Sequence, residues 1–180
     1  TLKENVKEVV KSLEKRGIAV WMITGDNEQT ANKIAKEAGI TNVLAGVLPG
    51  EKAQKVNELK LITNHQSLTT CFVGDGINDA PALAASDVGI AMGTGTDIAI
   101  ESAGITLLNK DIRSVLTAIN LSRQTIKVIK QNLFWAFGYN VVLIPAAVLG
   151  YLNPMIASFA MAASSISVVL NSLRLNRVRI

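Results

Sequence analysis

Two aspartates four residues apart, Asp75 and Asp79, stand beside a glycine-rich break in the stretch Val73–Met92, VGDGINDAPALAASDVGIAM. The apolar run Cys71–Val73 reads as a buried strand, and Gly74-Asp75-Gly76 ends it. Asp75 therefore falls at a strand's carboxyl end, where open parallel α/β sheets hold their ligands. The flanking glycines let backbone approach a bulky group closely. Asp79 belongs to the same turn and can face the same space. Two hard carboxylates at such a turn suit Mg²⁺ shared with a substrate phosphate. On the GDG triplet alone, a plain strand–helix turn whose aspartates cap the helix explains the residues equally well.

A second strand end offers complementary chemistry. Thr24-Gly25-Asp26 follows the β-branched, apolar run Ile18–Ile23. Its hydroxyl and backbone amides can hold phosphate oxygens, and phosphoryl transfer needs positioning and charge neutralisation above all. Lys52, read by itself, is an ordinary solvated helix lysine.

A different chemistry lies near the carboxyl end, in Tyr139-Asn140 and Met161-Ala162-Ala163-Ser164-Ser165. Met161 and Ser165 are four apart and share a helix face. A thioether is a soft ligand suited to Cu(I). The competing reading is helix packing, since Ala157, Ser158, Ala160 and Ala162–Ser165 are the small residues that let membrane helices approach.

The elements that must position these residues follow from periodicity. Thr1-Leu2-Lys3-Glu4 matches a capping box, and Leu2, Val6, Val9, Val10 and Leu13 continue at helical spacing to a stop at Gly17. Ala31, Ile34, Ala35 and Ala38 mark a second helix that stops at Gly39. Asn42–Ala45 reads as a short strand. Pro49 opens a helix with Ala53, Val56 and Leu59 on one face. Val88–Met92 and Ile105–Leu108 are further strands, with a helix near Ile98–Ser102 between them. Strands alternating with helices predict a parallel, doubly wound sheet. From Ile112 the spacing of Val115, Leu116, Ile119, Ile126 and Ile129 predicts a long amphipathic helix, read as a rigid stalk; an interfacial helix is the alternative.

Charge divides the chain. Residues through Asp111 carry a net −3, and the remainder carries seven basic residues and no acidic one, which accounts for the overall +4. No charge occurs between Lys130 and Arg174. The basic residues flank this block as they flank membrane spans, so the high pI implies no nucleic-acid partner. Leu133–Leu152 and Met155–Leu173 are each long enough to cross a bilayer as a helix. Asn140 lies seven residues past Leu133 and Ser165 eight before Leu173, similar heights in an antiparallel pair. Lys/Arg on both flanks predict cytoplasmic ends for the pair. The lone Cys71 excludes an internal disulfide and most simply packs in its strand. His65 reads as a loop residue. No signal peptide is visible, and the start at Thr1 suggests a missing upstream portion.

Gly74–Leu83, GDGINDAPAL, resembles the hinge motif GDGxNDxxAL of P-type ATPases, members of the haloacid-dehalogenase superfamily in which an aspartate is transiently phosphorylated. The resemblance covers essentially all 180 residues. It implies that Thr24 and Gly25 hold phosphate, Asp26 meets ATP, Lys52 is the superfamily's third-motif lysine, and Asp75 holds Mg²⁺. It implies too that Asn78 and Asp79 tie the hinge to phosphate and magnesium, with Asp79 behind the ion rather than on it. Thr94–Asp97 is similar to a run common in the family and is expected to be structural.

Tyr-Asn followed by MxxSS is similar to the signature of copper(I)/silver(I) pumps, which implies a Cu(I) site of Tyr139, Asn140, Met161 and Ser165. DKTGT, TGE and Cys-Pro-Cys motifs are absent. The resemblance thus implies the carboxyl-terminal part of a heavy-metal P-type ATPase of the copper(I) subgroup. The expected architecture is a partial α/β haloacid-dehalogenase-like parallel sheet (residues 1–111), a stalk helix (112–132), an all-α transmembrane hairpin (133–152 and 155–173) and a cytoplasmic tail (174–180). The expected whole is a multi-pass membrane pump using ATP and Mg²⁺, inactive as this piece alone. Its implied partners are the remainder of the pump, the lipid bilayer and a soluble copper chaperone. A zinc/cadmium pump and a membrane-tethered haloacid-dehalogenase-type phosphatase are the alternatives.

Overall fold

The computed structural model describes residues 4–64, 68–74, 77–93, 101–151 and 153–177. Thr1 of the expected capping box, His65, Asp75, Gly76, Thr94–Asp97 and most of the helix expected near Ile98–Ser102 lie outside the described residues. The chain forms two compact units, Thr1–Leu116 and Thr117–Ile180.

The first unit alternates helices and strands as the periodicity predicts. Helix α1 (Val6–Glu14) is followed by β1 (Trp21–Ile23), α2 (Glu28–Ala38) and β2 (Asn42–Leu44). A 3₁₀ turn (Pro49–Glu51) leads into α3 (Lys52–Asn64) and β3 (Cys71–Gly74). A second 3₁₀ turn (Ile77–Asp79), α4 (Ala80–Ala85), β4 (Val88–Met92) and β5 (Ile105–Leu107) complete it. Among the described residues all pairings are parallel, and the strands form two ladders, β1–β2 and β3–β4–β5, rather than one sheet.

Burial explains the strand lengths. β4 lies between two strands, and Gly89–Met92 are buried, as expected of a central parallel strand covered on both faces. β3 is an edge of its ladder, so its first residue Cys71 is exposed instead of packed. β1 is shorter than the expected Ile18–Ile23 because β2 offers only Asn42–Leu44 to pair with Trp21–Ile23. Before that point the Asn42 side chain takes over, donating from Nδ2 to the Val20 carbonyl at 3.1 Å. Helix α1 begins at Val6 rather than Leu2, with Asn5 in the left-handed region (φ 65°) ahead of it.

The helices seat small side chains against these strands. Ala31, Ala35 and Ala38 of α2, Val56 of α3 and Ala82 and Leu83 of α4 are buried. Leu83 packs with Ala91, and Phe72 and Ala103 close over them. A Cβ at Gly89 would meet the Leu83 carbonyl oxygen at 2.7 Å, so the glycine is what lets α4 lie this close to β4.

After β5, Asp111 accepts from the Arg113 backbone N–H at 2.9 Å and from its guanidinium at 2.6 Å, opening helix α5 (Arg113–Val148). Within the second unit, α5 continues to Val148 and a turn through Gly150 leads to α6 (Pro154–Leu173). Asn153 starts α6, its Oδ1 accepting from the Met155 N–H at 3.0 Å. Two apolar spans were expected. Among the described residues one helical stretch, Ala157–Asn176, is long and apolar enough to cross a membrane. The expected span Leu133–Leu152 loses its last residues because the helix stops at Val148. Its remaining length carries Tyr139 and Asn140 and is preceded by Gln131 and Asn132, which lower its mean hydropathy.

Candidate active site

The Thr24-Gly25-Asp26 loop leaves the carboxyl end of β1 and is laced to the segment after β2. Thr24 N–H donates to the Leu44 carbonyl (3.0 Å), Val47 N–H to the Thr24 carbonyl (3.0 Å) and Gly46 N–H to the Asp26 carbonyl (2.8 Å). Inside the loop, the Thr24 hydroxyl donates to Asp26 Oδ2 at 2.9 Å and accepts the Asp26 N–H at 3.2 Å. The hydroxyl proton is thus held by Asp26, and Thr24 must rotate to donate to any other acceptor. A Cβ at Gly25 would lie 3.4 Å from the Val47 carbonyl oxygen, so the loop's path is closely fitted to its neighbour.

Lys52 opens α3. The 3₁₀ turn before it is framed by Glu51, whose Oε2 accepts the Leu48 N–H at 3.2 Å. The Lys52 ammonium donates to Asp79 Oδ1 at 2.7 Å, with both side chains largely enclosed (18% and 14% exposed). This pair joins the turn after β2 to the turn after β3 across 27 positions of sequence. A Cβ at Gly74 would come within 2.8 Å of both Cβ and Oδ2 of Asp79. Only glycine at the end of β3 admits the Asp79 carboxylate here.

Of the residues singled out in the sequence, the structure brings Lys52 and Asp79 into contact and places Thr24, Gly25 and Asp26 in one hydrogen-bonded loop. Asn78 is exposed on the turn after β3. Asp75, between Gly74 and that turn, is outside the described residues. The described groups at this strand end, a carboxylate and an ammonium paired where position 74 admits no Cβ, are of the types that suit a phosphate and a hard divalent cation.

The four residues of the second set lie on α5 and α6. Tyr139 stacks near Trp135, ring centroids 6.4 Å apart. Asn140 donates from Nδ2 to the Ala136 carbonyl of its own helix at 2.8 Å. Met161 is 75% exposed, and Ser165 is exposed as well. A polar cluster that the sequence reading passed over lies at the other end of the pair. Asn132 Nδ2 donates to Ser172 Oγ (2.9 Å), and Asn171 Nδ2 donates to Asn132 Oδ1 (2.9 Å) and Gln131 Oε1 (3.3 Å). Its signal was present: polar residues flank the uncharged block on both sides.

Residues 1–87 match the haloacid dehalogenase-like hydrolase family. The copper-exporting P-type ATPase of Bacillus subtilis (strain 168) is 55% identical over 179 residues, 99% of this chain and 22% of the relative. That of Staphylococcus haemolyticus (strain JCSC1435) is 54% identical over all 180 residues, again 22% of the relative. Among solved structures, a zinc-transporting PIB-type ATPase in its E2.Pi state superposes with a TM-score of 0.87 at 36% identity, covering 97% of this chain and 28% of that one. The chain thus spans about a fifth of the length of these curated relatives.

Proposed function

Because this chain is homologous over its whole length to copper-exporting P-type ATPases, and through residues 1–87 to the haloacid dehalogenase-like hydrolases, we propose that it is the carboxyl-terminal part of an ATP-driven Cu(I) or Ag(I) export pump. The observation that carries the reading is the Lys52–Asp79 pair at 2.7 Å, set on a strand end that only Gly74 permits. That is a site built to receive a phosphoryl group. The phosphorylated aspartate belongs to an upstream segment. The break between the β1–β2 and β3–β4–β5 ladders supports this reading. An unpaired strand edge is a ready template for another strand, and one more parallel strand carrying that aspartate would join the two ladders.

In this account Thr24 and Gly25 bind the transferred phosphoryl group, Lys52 balances its charge, and Asp75 holds Mg²⁺. Asn78 and Asp79 keep the hinge in place, and Asp26 meets ATP. Residues 112–132 form the stalk, and 133–152 and 155–173 a transmembrane hairpin with both ends cytoplasmic. The exposed apolar side chains of the second unit, Phe134, Phe137, Val141, Phe159 and Leu170 among them, suit lipid or neighbouring membrane helices. Tyr139, Asn140, Met161 and Ser165 bind the transported Cu(I), delivered by a soluble chaperone. The structural likeness to a zinc pump favours Zn²⁺ as a second reading. Copper is preferred because the copper relatives are more nearly identical, and neither span offers a carboxylate or imidazole for a harder ion.

Asp75→Asn in the intact pump tests the phosphoryl site. It is expected to abolish nearly all acid-stable phosphoenzyme formed from labelled ATP; near-normal labelling would remove Asp75 from the role.

A further inference from the structure

The amide cluster Gln131–Asn132–Asn171–Ser172 joins α5 to α6 by three hydrogen bonds of 2.9, 2.9 and 3.3 Å. At the other end of the pair the connection is the short turn between Val148 and Pro154. The two helices therefore run antiparallel, tied at both ends. Between the ties, the half-buried positions of α6 include the small residues Ala157, Ala160, Ala163 and Ser164. Small apolar surfaces pack well in lipid but are nearly as favourable after a slip along the axis, because they carry no directional bonds. Side-chain amides are directional, and an amide without partners in or near hydrocarbon is costly. Register in this pair is thus limited by the short turn at one end and fixed by directional bonds of the amides at the other.

That register has a consequence for the candidate metal ligands. With Asn132 level with Asn171 and Ser172, each step forward along α5 matches one step back along α6. Asn140 is eight residues beyond Asn132, about 12 Å along the helix. Eight residues back from Asn171 and Ser172 are Ala163 and Ser164. Asn140 accordingly lies between the heights of Met161 and Ser165, about half a turn from each. A slip of one turn, about 5.4 Å, would carry Asn140 past one of them.

We propose that Asn132 and Asn171, supported by Gln131 and Ser172, are positioning residues. They lock the axial register of α5 against α6 and so hold Tyr139-Asn140 level with Met161 and Ser165. The copper part of this inference rests on the pump reading above; the register part does not.

The test uses the full-length pump in lipid nanodiscs, with Asn132→Ala, Asn171→Ala, the double variant, and the exchange Asn132→Ser with Ser172→Asn. Nitroxides introduced at Phe137 and Ile166 through a non-natural amino acid report register by electron–electron dipolar spectroscopy. One narrow distance is expected in the parent pump, and a broadened or shifted distribution in the alanine variants. Cu(I) concentration dependence of phosphoenzyme formation is read in parallel. The expected result is a Cu(I) requirement raised about tenfold with the maximal level kept, the double variant no worse than either single one, and recovery in the exchange. Unchanged distances, or a lowered maximum at an unchanged Cu(I) requirement, would overturn the lock. If the parent pump binds no Cu(I), the copper reading fails while the distances still decide the lock. If an alanine variant does not fold, the exchange decides: it must keep the parent distance and Cu(I) requirement, and a shift in both overturns the proposal.

Discussion

The Lys52 ammonium stands 2.7 Å from the Asp79 carboxylate, so the first residue of α3 and the last of the turn after β3 meet as one charged pair. Their partial enclosure strengthens the attraction relative to a surface pair. Under the proposed function, the pair also holds the Lys52 charge ready for a phosphoryl group. Lys52→Ala is expected to slow phosphoenzyme formation by about 10²-fold, the usual loss of one preorganised charge. Lys52→Arg is expected to recover little, because a planar guanidinium does not replace a compact ammonium. Rapid-quench labelling of the intact pump measures both; a rate within twofold of the parent in Lys52→Ala would contradict this assignment.

Gly74→Ala probes the same pair from behind. The new Cβ meets Asp79 at 2.8 Å, so the carboxylate must move and its contact with Lys52 is lost. Overpacking of this kind costs about 1–3 kcal/mol. The expected outcome is a modest fall in melting temperature with a disproportionate loss of phosphorylation rate. Equal, small effects on both would show that Asp79 does not depend on the missing Cβ.

Much of this was legible beforehand, and for identifiable reasons. Short-range signals sufficed for the alternating elements: Gly39 ends α2, and Pro49 opens the turn before α3. Asp79 and Thr24 were singled out because they stand at strand ends with glycine breaks, and the structure pairs Asp79 with Lys52 and Thr24 with Asp26. What was not legible depended on partners far away in the chain. Cys71 was expected to be packed, yet its exposure depends on β3 being an edge. The length of β1 was set by β2, not by its own β-branched run. The Lys52–Asp79 contact spans 27 positions and the amide cluster 39 or 40, distances at which periodicity carries no information.

Thr24 should divide by its hydroxyl. Its Oγ1 both donates to Asp26 and accepts the Asp26 N–H, so Thr24→Ala loosens the loop and removes a phosphate donor together. Thr24→Ser keeps both functions. Phosphorylation is expected to fall by at least about tenfold in the alanine variant and to stay near the parent in the serine variant. Parity between the two variants would exclude the hydroxyl from phosphate binding.

Asp87 offers a pH test away from the site. The Thr70 backbone N–H at 2.8 Å and the Lys60 ammonium at 2.9 Å hold its carboxyl below the ordinary carboxylate value. A depressed folded-state pKa contributes stability above the unfolded value, and that stability is lost as pH falls through the folded one. Asp87→Asn is therefore expected to melt lower than the parent at pH 7, with the difference closing below about pH 4. A gap that persists unchanged into acid would place the effect in packing rather than charge.

Met161→Ala tests the soft-ligand assignment. Even residues standing behind metal ligands cost about tenfold or more in affinity when removed, so loss of a ligand is expected to weaken Cu(I) binding at least that much. Competition against a chromogenic Cu(I) chelator measures it. Unchanged affinity and stoichiometry would return Met161 to helix packing.

The central claim, that this chain is the carboxyl-terminal part of a Cu(I) pump, is tested most directly by the metal dependence of acid-stable phosphoenzyme in the full-length protein. Membranes carrying the pump are labelled from ATP with Cu(I), with Zn²⁺, or with chelator. The account predicts a labelled band that requires Cu(I) and disappears with chelator. A band that requires Zn²⁺ and ignores Cu(I) would contradict it.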